Sequence, residues 1–110
     1  MTTAGLIQRW LIGAFAGLLF GGVGFWFAAS AAGLGHGTYL PAAILFPYTM
    51  IGSVIVGSIS PVLIGLALLQ YSLYGGISAQ RPGSWRAVSW LHAAAALVAV
   101  VLILRSDVFR

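Results

Sequence analysis

Three long apolar segments without a charged residue constrain this sequence more than any other feature. They run from Trp10 to Gly33, from Ile51 to Tyr74 and from Ala87 to Leu104. A helix needs about 20 apolar residues to cross about 30 Å of hydrocarbon, so each segment is long enough to span a bilayer. A chain of 110 residues could not cover three such segments with a polar surface. The sequence therefore predicts an all-α integral membrane protein with three transmembrane helices.

The composition favours a membrane protein and excludes several other classes. Hydrophobic residues make up 61% of the chain and charged residues 5%, whereas a soluble domain carries roughly a quarter charged residues. The basic residues are all arginines near the ends of apolar segments, a pattern of membrane anchoring rather than of nucleic-acid binding. Without cysteine there is no disulfide and no thiolate ligand for a metal. The lipid bilayer is the first expected partner, and arginine without lysine suggests a GC-rich bacterial genome and hence the bacterial inner membrane.

The first segment carries glycines at a spacing that suits close helix packing. Gly13, Gly17 and Gly21 follow one another at intervals of four, and Gly24 lies on nearly the same face. Lipid gives helices no hydrophobic reason to associate, so small residues that admit a neighbouring backbone supply much of the contact. These four glycines predict a helix-packing face, and its partner is either within the chain or in another chain.

A secretory signal peptide is the alternative interpretation of the first segment. Arg9 precedes the apolar stretch, and the sequence AASAAG near its end contains small residues of the type found at cleavage sites. The stretch is longer than a typical signal peptide core and carries Trp26 near its far end. We therefore expect the segment to remain as the first transmembrane helix.

The second segment contains a proline, Pro61, well inside its apolar run. Within a helix, proline removes one backbone hydrogen bond and clashes with the carbonyl group four residues earlier, so the sequence predicts a helix kink at Pro61. Gln70, Tyr71 and Tyr74 are interpreted as approaching the membrane interface. The glycines after Tyr74 then end the helix, and a polar loop is expected over residues 76–86.

Four spans are the alternative topology, with separate helices over 39–57 and 61–74 joined by the sequence SIS. The second of these helices would have about 14 residues, fewer than the roughly 17 that a span requires. The joint also offers no charge or asparagine to hold a turn among headgroups. Three spans are therefore preferred.

The uncharged stretch from Tyr39 to Tyr74 is too long for one span, because a straight helix of this length would measure about 54 Å. Two prolines near its start push the residues before them towards an extended conformation. We expect residues 39–50 to form a short interfacial or re-entrant helix between the first two spans. The residues expected to define this segment are Tyr39, Pro41, Phe46, Pro47 and Tyr48.

The arginines give a small bias in orientation. With three spans, Arg9, Arg81 and Arg86 lie on one side of the membrane, and Arg105 and Arg110 lie on the other. Positively charged residues concentrate on the cytoplasmic side. The sequence therefore predicts a cytoplasmic N-terminus and an external C-terminus.

Few residues of this sequence could carry chemistry. Glutamate is absent, no serine lies in a nucleophile motif, and the glycines around His36 do not match a phosphate- or dinucleotide-binding pattern. We expect no enzyme activity, no metal site and no cofactor. His36 and His92 are the candidates for binding a cofactor, although three spans would place them near opposite membrane faces. His92 is otherwise interpreted as a neutral histidine at headgroup depth.

Three functional classes remain open, and the first is preferred. It is a small non-enzymatic multi-pass protein, an accessory subunit or helix-packing module that contacts other membrane helices or itself. The second is a small transporter or channel component, which could use the irregular segment or a pore of Ser53, Ser58, Ser60 and Gln70. The third is a haem- or quinone-associated subunit of a redox complex, supported only by the two histidines and the aromatic residues.

Overall fold

The computed structural model describes residues 2–33, 37–81 and 83–109, which form five helices and no strand. The helices are α1 (Thr3–Ala32), α2 (Leu40–Leu45), α3 (Pro47–Val56), α4 (Pro61–Gln80) and α5 (Ser84–Arg105). Three of them, α1, α4 and α5, are long and apolar enough to cross a membrane. The expected all-helical class with three helices of spanning length is confirmed.

Helices α1 and α4 run antiparallel and approach each other closely. A Cβ atom on Gly13 would overlap the carbonyl oxygen of Gly75, and one on Gly17 would overlap that of Tyr71. Residue numbers therefore rise along α1 as they fall along α4. It follows that the end of α1 and the beginning of α4 lie at the same end of the bundle.

A break at Phe46 and Pro47 separates α2 from α3. Phe46 has φ −130° and ψ 60°, outside the helical region, and Pro47 has no N–H group to continue the hydrogen bonds of α2. The backbone N–H of Phe46 still donates to the carbonyl of Ala42 over 2.7 Å, and that of Met50 donates to the carbonyl of Phe46 over 3.1 Å. The last carbonyl groups of α2 are left for partners outside the helix backbone.

Helices α2 and α3 form a hairpin, residues 40–56, within one half of the bundle. Tyr39, immediately before α2, lines a cavity together with Ala32 at the end of α1. The Phe46 ring lies beside Gly24, nearer the middle of α1. Helix α3 leads through a short connection into α4. Both ends of the hairpin therefore lie at the end of the bundle where α1 ends. The break at Phe46 and Pro47 lies nearer the middle of the bundle.

Helix α5 closes the other side of the hairpin. Its main contacts are with α2 and α3, and it makes fewer with α4. Ala99 and Ile103 are its buried residues, and beyond its end the Phe109 ring meets Tyr39 edge to face with centroids 5.2 Å apart. The hairpin thus lies between the α1–α4 pair and α5.

Pro61 begins a helix and does not kink one. Gly57 ends α3 in a left-handed conformation with φ 89°, and Ser60 caps α4 by accepting a hydrogen bond from the Leu63 N–H over 3.3 Å. Proline suits the first turn of a helix because its missing N–H has no partner there and its φ is already helical. The expected single helix over 51–74 with a kink at Pro61 is therefore wrong. The chain divides where the four-span alternative separates its two helices.

The two glycines after Tyr74 do not end α4 as expected. Gly76 lies under the Trp10 indole, where a Cβ atom would be 2.6 Å from Nε1, so these glycines serve packing inside the helix. Helix α4 continues to Gln80 and α5 begins at Ser84, so most of the polar loop expected over 76–86 is helical. The helix expected over 10–33 begins earlier, at Thr3, and ends at Ala32, and the helix expected over 87–104 is longer at both ends, Ser84–Arg105.

We expect the stability of the protein to depend on Ser60, which caps α4, and to depend little on Pro61, the first residue of this helix. Ser60→Ala removes the capping oxygen and should cost about 1 kcal/mol of unfolding free energy, whereas Pro61→Ala breaks no hydrogen bond and should change it by less than about 0.5 kcal/mol. Reversible unfolding in mixed detergent micelles measures both. A large change in stability for Pro61→Ala with none for Ser60→Ala would contradict this start of the helix.

Candidate functional site

A cluster of polar side chains meets the break of the hairpin, and we call it the polar centre. It contains Gln70, Tyr71 and Tyr74 from α4, His92 from α5 and Tyr48 from α3. Gln70 and Tyr71 are the tenth and eleventh of the 20 residues of α4. The polar centre therefore lies halfway along a helix that is long enough to cross a membrane.

Two side chains of α4 donate to the last carbonyl oxygen of α2. Gln70 Nε2 lies 3.1 Å from the carbonyl oxygen of Leu45, and the Tyr71 hydroxyl lies 2.6 Å from the same oxygen. Phe46 leaves the helical conformation directly after Leu45, so this oxygen is one of the end carbonyl groups that the helix itself does not satisfy. Since an unsatisfied backbone group is costly in an apolar environment, these two donors stabilise the end of α2.

His92 satisfies the neighbouring carbonyl group and thereby defines its own tautomer. Its Nε2 lies 2.8 Å from the carbonyl oxygen of Ile44. A carbonyl oxygen only accepts, so Nε2 carries a proton and Nδ1 of the neutral ring is an acceptor. The Tyr74 hydroxyl lies 3.0 Å from Nδ1, and Gln70 Nε2 lies 3.5 Å from it. The imidazole therefore joins the hairpin to α4.

Tyr48 extends the chain of hydrogen bonds. Its hydroxyl and that of Tyr74 are 3.1 Å apart. Because a hydroxyl carries one proton, Tyr74 donates either to Tyr48 or to Nδ1 of His92, and Tyr48 donates to Tyr74 in the second case. Tyr48, Tyr74 and His92, from three helices, thus form one chain of hydrogen bonds. The Tyr74 proton can point to either neighbour in this chain.

Gln70 has an acceptor that the polar centre leaves unused. The side chain is 3% exposed, and its Oε1 atom has no hydrogen-bond partner among the described residues. A buried acceptor without a donor costs about 1–3 kcal/mol. An uncompensated cost of this kind in the middle of a helix is more typical of a functional group than of a structural one.

Residues of the polar centre line two cavities of the described chain. One, of about 320 Å³, is a groove between α4 and α5 that is open on one side, and we call it the α4–α5 groove. The other, of about 450 Å³, is a more open space between α1 and α4 that Tyr71 and Tyr74 also line. A separate cavity of about 230 Å³ between α1, the hairpin and α4 is almost entirely apolar and is lined by none of these five residues. The groove is lined by Phe20, Tyr71, Tyr74, Val88, Ser89, His92 and Ala93.

The four glycines expected to form a packing face all lie against other parts of the same chain. Gly13 and Gly17 contact the backbone of α4, and Gly21 contacts Tyr71. A Cβ atom on Gly24 would be 3.6 Å from the Phe46 ring, in ordinary contact. The face is therefore occupied within the chain.

The residues expected to form an interfacial segment fall in and before the hairpin. Tyr39 and Pro41 lie at the start of α2, and Phe46 and Pro47 form the break. Tyr48, expected as an interface aromatic, reaches Tyr74 in the polar centre. His36 lies outside the described residues, so its expected separation from His92 is not described.

The sequence predicts Gln70, Tyr71 and Tyr74 near an interface, whereas they lie in the central part of α4. The signal that could have found them is the single amide, Gln70, in a stretch without charges. An amide there needs a buried partner, and an interrupted helix provides one. The proposed pore of Ser53, Ser58, Ser60 and Gln70 is not assembled on one surface, since Ser53 is buried and donates to Thr49.

The polar centre offers hydroxyl, amide and imidazole groups as hydrogen-bond donors and acceptors. No group of three or more His, Cys, Asp or Glu residues that could hold a metal ion occurs within residues 2–33, 37–81 and 83–109. Comparison with protein-family models, with curated proteins and with solved structures found no match. The function must therefore be inferred from the chain itself.

Proposed function

We propose that the protein is a small non-enzymatic multi-pass membrane protein that serves as an accessory subunit or helix-packing module of a membrane complex. One observation carries this proposal: almost all of the described chain is helical, and the connections between helices are short. Any surface that such a chain offers to a partner runs along its helices. Partners are accordingly expected to be other membrane helices or a second copy of the chain.

The side of α1 that faces away from α4 is the surface best suited to a partner. Its large apolar residues follow one another at intervals of three or four, so they form one continuous stripe, and each is more than half exposed. The opposite side of α1 is already occupied by α4. The stripe, which we call the outer face of α1, consists of Ile12, Phe15, Leu19, Val23 and Trp26.

Cross-linking tests this surface directly. A photoreactive amino acid at Phe15 or Val23 should yield protein adducts in cells, either with a second copy or with another membrane protein. The matched control is Leu97 on α5, which is 68% exposed and does not belong to the outer face. Lipid adducts alone at Phe15 and Val23, or equal protein adducts at Leu97, would contradict the assigned surface.

We also propose how the chain lies in the membrane. In a bacterial inner membrane, α1, α4 and α5 would cross the bilayer with the N-terminus in the cytoplasm, following the bias of Arg9, Arg81 and Arg86. The hairpin would then enter the membrane from the outer side and return to it. Its break would lie near mid-depth, where protein side chains rather than lipid meet the freed carbonyl groups.

A second function, passage of a small solute, is favoured by the broken helix. Transporters bind substrates near the midplane where helices are interrupted, and here Gln70, with an unpaired Oε1, faces such a break. Purified protein in liposomes should then carry proton or potassium flux that Gln70→Leu abolishes. Absence of flux in the unmodified protein would remove this second function and leave the accessory role.

A further inference from the structure

The α4–α5 groove combines an aromatic wall with a small set of polar atoms. Phe20 and Tyr71 meet edge to face with ring centroids 5.0 Å apart, and Tyr71 and Tyr74 do so at 5.5 Å. His92 lies beyond Tyr74 at 5.6 Å. Such a row of rings offers flat and edge surfaces against which another planar ring can pack.

The polar atoms of the groove are all uncharged. They come from Tyr74, His92 and Ser89, and no Asp, Glu, Lys or Arg lines the groove. Burying a charged group beside them would leave that charge without a partner, at a large cost in free energy. The polar part of any ligand in this groove is therefore expected to be uncharged.

Two groove atoms can bond a ligand without breaking the hairpin. Ser89 is exposed, and its hydroxyl has no hydrogen bond to another described residue, so it can donate to a ligand oxygen. When Tyr74 donates to Nδ1 of His92, its hydroxyl oxygen can accept from a ligand hydroxyl, while Nε2 of His92 continues to donate to Ile44. The groove can therefore recognise both a carbonyl oxygen and a hydroxyl group.

We propose that the α4–α5 groove binds a lipid-soluble molecule with an uncharged, planar ring that bears oxygen atoms, the chemistry of quinones and quinols. The ring packs against Phe20, Tyr71 and Tyr74. A ring oxygen accepts from Ser89, and in a quinol a hydroxyl group donates to Tyr74. The open side of the groove faces lipid, so a hydrocarbon tail can leave it without crossing the protein. This site does not depend on the accessory role or on the outer face of α1.

Photolabelling tests the site in purified protein held in lipid nanodiscs. The probe is a photoreactive benzoquinone with a short alkyl tail, and the sites of attachment are read by peptide mass spectrometry. We expect saturable labelling in peptides that contain Phe20, residues 71–74 or residues 85–93, and we expect unlabelled benzoquinone to compete for it. Labelling that does not saturate, or that maps outside these peptides, would overturn the proposal.

Four variants distinguish contact with the ligand from damage to the fold. Ser89→Leu and Ala93→Leu fill the groove from successive turns of α5 and should each reduce the affinity for the probe at least about tenfold. Ser30→Leu introduces the same side chain on an exposed part of α1 and should leave the affinity unchanged. Tyr48→Phe alters the hydrogen-bond chain outside the groove and should change the affinity less than about threefold.

Two groove-filling variants are used so that the test does not depend on the folding of one protein. If one of them fails to fold, the other carries the test, because both act on the same space. Retained saturable labelling in a folded Ser89→Leu or Ala93→Leu variant would overturn the proposal. Loss of labelling in Ser30→Leu to the same extent as in the groove variants would overturn it as well.

Discussion

Replacing Gly17 by alanine should destabilise the folded protein by about 3 kcal/mol, the upper part of the range for overpacking. The added Cβ atom would overlap the carbonyl oxygen of Tyr71, and it would lie 2.6 Å from the carbonyl carbon. Both are backbone atoms of α4, so no side-chain rotation can make room. Helices α1 and α4 would have to separate, and the backbone contact that holds them together would be lost.

Gly22→Ala is the matched control, since it makes the same substitution in the same helix. A Cβ atom on Gly22 would meet no described atom within 4 Å apart from the adjacent backbone of α1 itself. Alanine also favours helix over glycine, so this variant should be as stable as the original protein or slightly more stable. Unfolding in mixed micelles measures both variants. Equal stability of Gly17→Ala and Gly22→Ala would show that α1 and α4 do not pack through Gly17.

Removing both donors to the carbonyl oxygen of Leu45 should cost more than the two single losses together. Gln70→Leu leaves the Tyr71 hydroxyl in place, and Tyr71→Phe leaves the Gln70 amide. Each single variant should lose less than about 1 kcal/mol, as hydrogen bonds within membrane proteins usually do. The double variant leaves the oxygen with neither donor in an apolar environment, and it should lose about 3 kcal/mol.

The four proteins form a double-mutant cycle, and the quantity to measure is the coupling between positions 70 and 71. Gln70→Leu also removes the unpaired Oε1 atom, which should make this single variant milder still. Tyr48→Phe serves as a control because its hydroxyl bonds Tyr74 and not Leu45. Additive losses across the cycle would contradict the shared capping of Leu45.

The number of long helices followed from the sequence, but their arrangement did not. Charge-free length predicts a helix of spanning length because the hydrocarbon thickness fixes that length. Pro61 was ambiguous because proline is compatible with the first turn of a helix as well as with a kink. Pro61 begins a helix because Gly57 ends α3 and Ser60 caps α4. Such local signals are weak in a chain that is rich in glycine and serine.

The polar centre was hidden from sequence reasoning for a different reason. Its members come from three helices, and Tyr48, Gln70 and His92 meet only because the hairpin folds back between α4 and α5. Pro47 could be recognised as a break, but no sequence pattern indicates which side chains would satisfy the carbonyl groups that it frees. The glycine face, by contrast, has a regular spacing within one helix, and this is why Gly13 and Gly17 could be named.

Labelling of single cysteines measures most directly whether the hairpin enters and leaves on one side of the membrane. The chain contains no cysteine of its own, so Thr38, Ser58 and Gly83 can each be replaced without background. All three positions are exposed and lie in connections between helices. A membrane-impermeant maleimide should label positions 38 and 58 from the same side of the membrane and position 83 from the opposite side. Labelling of positions 38 and 58 from opposite sides would make residues 40–56 a fourth span and would contradict the re-entrant hairpin.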